Sequence, residues 1–270
     1  MPSPVLERRT AGALAWHTDL ELLERHGILV AFSERTGGTS VGPWSSLNLA
    51  AHVGDDPTSV DANRLRLLSA LGLEETAERL TCAEQVHGAR VTRVTPERAG
   101  AGASARGRWP IPGTDAMITA LPDTPLMMCF ADCVPVVLVA VRPGRTVAVA
   151  HAGWRGALAG LPGIAARALA SAAGCPTSSL LAYVGPHICR ECYEVGDELA
   201  SQFAAAFGNI VAAQGRVDLG AVVSEGLRAA GVPTERQAGG GTCTTHPAGR
   251  FFSYRAEGVT GRHGALVVVL

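Results

Sequence analysis

Residues 131–156 read ADCVPVVLVAVRPGRTVAVAHAGWRG. Two apolar runs flank Arg142-Pro143-Gly144-Arg145, and Asp132, Cys133, His151, Trp154 and Arg155 stand just outside them. Cysteine and histidine together offer two chemistries. A thiol beside an imidazole can act as a nucleophile, and a thiolate with imidazoles can hold a metal ion. A second imidazole, His87 in EQVHGARV, ends another candidate strand. After His151 the chain runs Ala-Gly-Trp-Arg-Gly into a helix. Free backbone N–H groups at that start, beside Arg155, would make an anion cradle. Each residue alone also has a bland reading: Cys133 as a small buried hydrophobe, His87 as a polar loop residue, Arg155 as a surface ion pair. Residue types alone therefore give a Cys/His site beside an anion pocket.

These side chains must be delivered by a hairpin. A turn at Pro143-Gly144 sets residue 142 opposite 145 and His151 opposite Val136, and at about 3.3 Å per residue Cys133 is then within roughly 10 Å of His151. Strict alternation leaves the two on opposite faces. Pro135, which cannot donate a ladder hydrogen bond, can break that parity, so the sequence does not fix the register. Around the hairpin, DLELLERH (19–26) reads as a helix and GILVAFSE as a strand. The segment from Asp56-Pro57 through VDANRLRLLSALGL has apolar residues at helical spacing. AMITA and LMMCFA are further strands. One helix is expected from Ala157 to Ala173, others near 194–206 and 218–230, and ALVVVL closes the chain as a strand. ERAGAGASARGRWPIPG is a Gly/Ala-rich exposed loop. Runs of strands with helices between them give an α/β (α+β) class with a mixed sheet. No internal repeat or domain boundary is visible, so residues 1–270 are expected to form one domain.

Composition narrows the chemistry. The 270 residues are 47% apolar with a net charge of −1, enough for a sizeable core, and no basic run points to nucleic acid or anionic membrane. No secretory h-region and no run long enough for a membrane helix is present. The seven scattered cysteines suit reduced thiols in a cytoplasm. The chain has no lysine, which excludes Schiff-base chemistry, pyridoxal phosphate attachment and a P-loop. GAGASA at 100–105 matches GxGxxA but follows no strand and opens no helix. Cys189-Arg-Glu-Cys192 is a lone CxxC; structural zinc wants a second pair, so these two read as loop or core residues.

EQVHG, TDAMIT, ADCVPVVL, HAGWRG, GPHICRECYEVGDE and FFSYRAEGVTGR, with ERTGGTSVGPWSSLNLAAHVGDDPTSVDANR near the start, closely resemble the laccase-domain (polyphenol oxidase, YfiH-like) family over about residues 32 to 268. The resemblance implies an α/β sandwich shared with toxin deamidases that use a Cys–His pair. It also implies one mononuclear site of His87, Cys133 and His151. Three such ligands leave zinc an open fourth position; copper could also bind. A multicopper oxidase needs paired HxH motifs for its trinuclear cluster, and none of the eight histidines belongs to one, so laccase activity is not expected.

The implied activity is phosphorolysis of purine nucleosides, adenosine foremost, with deamination of adenosine in the same pocket. The expected partners are purine nucleosides and phosphate, for a cytoplasmic monomer. Phosphorolysis passes through an oxocarbenium-like centre, as glycoside hydrolysis does, and deamination needs an acid–base group. Arg155 is the candidate for phosphate, with Arg64 and Arg255 as helpers. Asp132 and Glu84 are the candidate acid–base groups; Asn48 and FFSYR are expected to line the nucleoside pocket. Two rivals stand beside this reading. One is a metal-free Cys133–His151 amide hydrolase, a chemistry that includes muropeptide editing. The other is a non-catalytic binding protein.

Overall fold

The two apolar runs pair as antiparallel strands, Val134–Ala140 and Thr146–Ala152. In the computed structural model, which describes residues 3–208 and 211–270, Ala140 pairs with Thr146 and Pro135 with His151. The register is therefore one residue away from the expected one, because the connection spans 141–145 rather than a two-residue turn. A one-residue slip exchanges the faces of a strand. Cys133 and His151 consequently share a face, the one carrying Val137, Val139, Val147 and Val149.

Six strands form the sheet containing this hairpin, in the order Gln237–Gly239, Leu181–Val184, Val134–Ala140, Thr146–Ala152, Ala116–Thr119, Val91–Arg93. A second sheet runs Glu7–Ala11, Leu14–Thr18, Ile28–Ser33, His263–Val269, Leu126–Phe130, Thr81–Cys82. Both sheets mix parallel and antiparallel pairs. The expected mixed α/β sandwich is thus observed. Phe32, Phe130, Val137, Val149 and Tyr183 fill the space between the sheets. On the hairpin's other face Val136, Leu138, Ala148 and Ala150 meet helices Leu161–Ala173 and Leu219–Ala229. Outside the second sheet, Leu67 and Leu68 of helix Pro57–Ala70 cover Leu266 and Val268. Strands buried on both faces need apolar residues at every position, which explains why VPVVLVA and TVAVA do not alternate.

The helix expected from Ala157 to Ala173 is two, Trp154–Leu158 and Leu161–Ala173, separated by Gly160 at φ +79° with Pro162 opening the second. The anticipated helices at 20–26, 197–207 and 219–229 are present. The N-terminal hairpin and strands Leu181–Val184 and Gln237–Gly239 are additional. No helix among the described residues is long and apolar enough to cross a membrane.

Candidate functional site

Cys133 precedes strand Val134–Ala140 and His151 lies near the end of strand Thr146–Ala152, so both stand at one open end of the inter-sheet core. His87 reaches them from the loop after Thr81–Cys82. The donor atoms of His87, Cys133 and His151 all lie within 4.8 Å of one another, with Cys133 Sγ 3.7 Å from His87 Nε2. The three side chains converge as the resemblance implies.

Asp115 builds this arrangement, and its role went unread in TDAMIT. It is fully buried and its Oδ1 lies 2.9 Å from His151 Nδ1, leaving Nε2 for the site. The same carboxylate accepts backbone N–H groups of Val86, His87 and Gly88 at 3.3, 3.0 and 2.7 Å. One buried anion thereby fixes the imidazole of one donor and the loop carrying another, the carboxylate–histidine support common around metals. Burial pushes the Cys133 thiol up, but the charge of His151 and hydrogen bonds from both histidines outweigh it and bring the thiol to about 6. Burial lowers His151, yet Cys133 and Asp115 raise it to about 9. The two shifts together favour a thiolate–imidazolium pair.

Packing requires both glycines of HAGWRG. A Cβ on Gly153 would come within 2.5 Å of His87 Cδ2 and 3.2 Å of Cys133 Sγ, and one on Gly156 within 2.6 Å of Gly88 O. Arg155 is exposed, stacked 4.4 Å over the Trp154 ring, and the helix it opens is a single short turn. It does not line the cavity above the donors.

That cavity holds about 410 Å³ and is walled by Asp132, Tyr193, Tyr254, Arg255 and Arg262 as well as the three donors. It adjoins a chamber of about 500 Å³ roofed by Arg106–Trp109, with His52, Gln85 and Cys129 on both walls. The joint cleft lies in the size range of small-molecule sites. Arg255 stacks near Tyr193 at 5.1 Å and donates to Glu194 O at 2.6 Å. Arg262, not singled out in the sequence, donates to Thr260 O and Gly261 O at 2.8 Å. Neither guanidinium has a carboxylate partner among the described residues.

The remaining candidates separate clearly. Asp132 lines the cavity at φ +94°, its oxygens accepting from Thr244 Oγ1 and Arg255 N, each at 2.6 Å. Glu84 is exposed, outside the cavity, and accepts from Gly113 N at 3.0 Å. Asn48 is wholly buried; it binds Asp55, Ala50 and Arg262 N and so supports Arg262 from behind. Arg64 spends its guanidinium on Leu49, Gly102 and Ala103 carbonyls; it borders the outer chamber and does not line the cavity above the donors. Of FFSYR, Tyr254 and Arg255 reach the cavity, while Phe251 and Phe252 are core. The lone CxxC also acquires companions: Cys189, Cys192, Cys243 and His246 form a second cluster of donors within 4.8 Å.

Residues 29–270 match the family model described as multi-copper polyphenol oxidoreductase laccase. The chain belongs to this family. A relative named purine nucleoside phosphorylase from Pseudomonas aeruginosa is 37% identical over 245 residues, covering 86% of this chain and 90% of its own. The purine nucleoside phosphorylase YlmD of Geobacillus stearothermophilus is 35% identical over 250 residues, covering 89% and 90%. The crystal structure of YlmD from that organism matches with a TM-score of 0.87 at 33% identity, over 98% of this chain and 99% of that one. The copper in the family's description meets donor sets of another kind here. Among the described residues one candidate cluster has two histidines and the other has one, whereas a trinuclear copper centre draws on several paired histidines.

Proposed function

We propose that the chain is a purine nucleoside phosphorylase that takes adenosine and related nucleosides, deaminates adenosine in the same cleft, and holds zinc on His87, Cys133 and His151. The observation that carries this reading is the donor trio at the floor of a nucleoside-sized cleft whose wall bears two guanidinium groups without carboxylate partners. The names of the relatives agree with it. One thiolate and two imidazoles suit zinc, which would supply a Lewis acid at the cavity floor when bound.

The chain's own residues divide the rest of the work. Arg262 and Arg255 replace Arg155 as the phosphate holders, since they line the cavity and Arg155 does not. Their forked donors suit a phosphate's oxygens. A phosphate oxygen bonds to C1′ as the glycosidic C–N bond breaks, and the proton that hydrogen phosphate loses passes to the departing purine nitrogen. Asp132 is our candidate to relay that proton, accepting it from phosphate and passing it to the purine; each of its oxygens keeps a lone pair beyond the bonds it already accepts. The exposed indole of Trp109 at the chamber roof offers a face for the purine.

Purified protein incubated with adenosine should release adenine and ribose-1-phosphate only when phosphate is present, and inosine with or without it. Equal release of adenine in phosphate-free buffer would make the chain a nucleosidase and remove the phosphate role of Arg255 and Arg262.

A second reading has its own observation: Cys133, His151 and Asp115 lie in the order of a thiol–imidazole–carboxylate hydrolase. His87 argues against it, because a hydrolase has no need of a second imidazole at 3.7 Å from the sulfur. Alkylation separates the two. Cys133 should resist iodoacetamide in zinc-loaded protein and react once a chelator is added, whereas rapid alkylation with zinc still bound would favour the hydrolase.

A further inference from the structure

Three cysteines and a histidine outside the cleft have no part in the chemistry above. Cys189 and Cys192 bracket a single tight turn, Arg190–Cys192. Cys243 lies beside His187 in an isolated parallel bridge, and His246 follows three residues later. The two stretches are remote in sequence, yet all four donor atoms lie within 4.8 Å of one another. Cys189 Sγ is 3.3 Å from His246 Nε2, and the Cys189 amide donates to Cys243 Sγ at 3.3 Å. The Thr245 hydroxyl lies 3.1 Å from Cys243 Sγ and 3.0 Å from Cys192 Sγ. All four sit away from the apolar core clusters except that Cys243 is buried; Cys189 and Cys192 are half-buried and His246 is exposed.

We infer that Cys189, Cys192, Cys243 and His246 form a second metal site, a closed Cys3His zinc centre that is structural. The spacing is C-x2-C followed far downstream by C-x2-H, so the second pair that a lone CxxC wants is supplied by histidine and cysteine together. A tetrahedral zinc with sulfur at about 2.3 Å and nitrogen at about 2.0 Å places its donors roughly 3.5 to 3.8 Å apart, inside the observed limit. Three thiolates favour zinc over hard cations. Four protein donors leave no open position, which distinguishes this centre from the three-donor site in the cleft. An amide donating to Cys243 Sγ is the kind of support that stabilises a thiolate.

The place of the centre shows what it would hold. Ile188 N donates to Asp132 O at 3.0 Å, and Thr244 Oγ1 donates to Asp132 Oδ1 at 2.6 Å. His187 and the 242–244 segment exchange backbone bonds at 3.1 and 3.0 Å. Tyr193, directly after Cys192, lines the cleft. A metal joining the two loops therefore clamps Asp132 and Tyr193, and it contributes folding energy as structural zinc does.

Metal analysis of the whole chain tests this without reference to any nucleoside. Wild-type protein reloaded with zinc and desalted should hold about two ions, one per candidate site. His87→Ala and Cys189→Ser/Cys192→Ser should each hold about one, and the combined variant close to none. His246→Ala, altered at an exposed side chain that makes no core contact, should lose affinity for one zinc by at least about 10-fold against a chromophoric chelator. Cobalt loaded into His87→Ala should show intense thiolate-to-metal absorption that Cys189→Ser/Cys192→Ser removes. A wild-type chain that binds one zinc, abolished by His87→Ala, would overturn the proposal. So would a Cys189→Ser/Cys192→Ser chain that keeps both ions.

Discussion

Asp132 concentrates several demands at one residue. Its backbone is left-handed at φ +94°, its carbonyl and both carboxylate oxygens are bonded, and it precedes a metal-donor candidate. Asparagine tolerates the same backbone region. It can accept from Arg255 N while its amide donates to the Thr244 hydroxyl, which serves as donor or acceptor. On the proposed function, Asp132→Asn should therefore fold and bind zinc as the wild type does while losing the proton-transfer group. We expect kcat for adenosine phosphorolysis to fall at least about 100-fold, with zinc content unchanged. A variant that keeps full activity would take proton transfer away from Asp132, and one that loses zinc would show the residue to be support alone. Asp115 is the complementary case. Nothing in its sequence neighbourhood announced it, because a buried carboxylate that bonds three consecutive amides and one imidazole is recognisable only after 86–88 and 151 have been brought together.

At the scale of elements the hairpin decides the site. The identity and extent of its two strands were legible from VPVVLVA and TVAVA, since apolar β-branched runs bounded by Pro-Gly leave little choice. Their register was not. A connection spanning 141–145 and one of two residues differ by one step, and that step moves His151 to the other face. Family resemblance supplied the donor trio where parity of the expected register opposed it. Gly153 shows a related limit: a glycine before a helix suggests an anion site from sequence, and only in space is it seen to make room for His87 and Cys133. Gly153 has φ −70°, so alanine there meets no backbone strain, only the 2.5 Å approach to His87 Cδ2 and 3.2 Å to Cys133 Sγ. Gly153→Ala should unfold near the wild-type temperature when metal-free, yet bind zinc in the cleft at least about 10-fold more weakly, the lower bound for disturbing donor orientation. Chelator competition on the Cys189→Ser/Cys192→Ser background reads that single site. Unchanged affinity would mean that the donors shift without cost.

At the scale of the whole molecule, the strand His263–Val269 joins the cleft to the core. Arg262 lines the cavity, and His263, fully buried, lies 5.4 Å from the Phe251 ring and 6.4 Å from Phe130. Burial lowers the His263 imidazole more than a contact with the Pro186 backbone raises it, and Arg262 lowers it further, to about 3. The folded chain thus keeps this ring neutral, while the unfolded chain takes up a proton near pH 6.5. The unfolded state binds more protons between these values, so stability falls as the pH drops from about 6.5 toward 3 and is fully present above that window. At about 1.4 kcal/mol per pH unit, the ring's contribution to the loss between pH 7 and pH 5 is about 2 kcal/mol. His263→Leu, similar in size and never charged, removes that contribution whatever packing it costs at neutral pH. Urea unfolding of both proteins at pH 7 and pH 5 isolates it, because the other titrating groups are common to the two chains and cancel in the difference. The wild type should lose about 2 kcal/mol more than His263→Leu over that interval. Parallel losses would mean that the ring is protonated, or reaches water, within the folded chain.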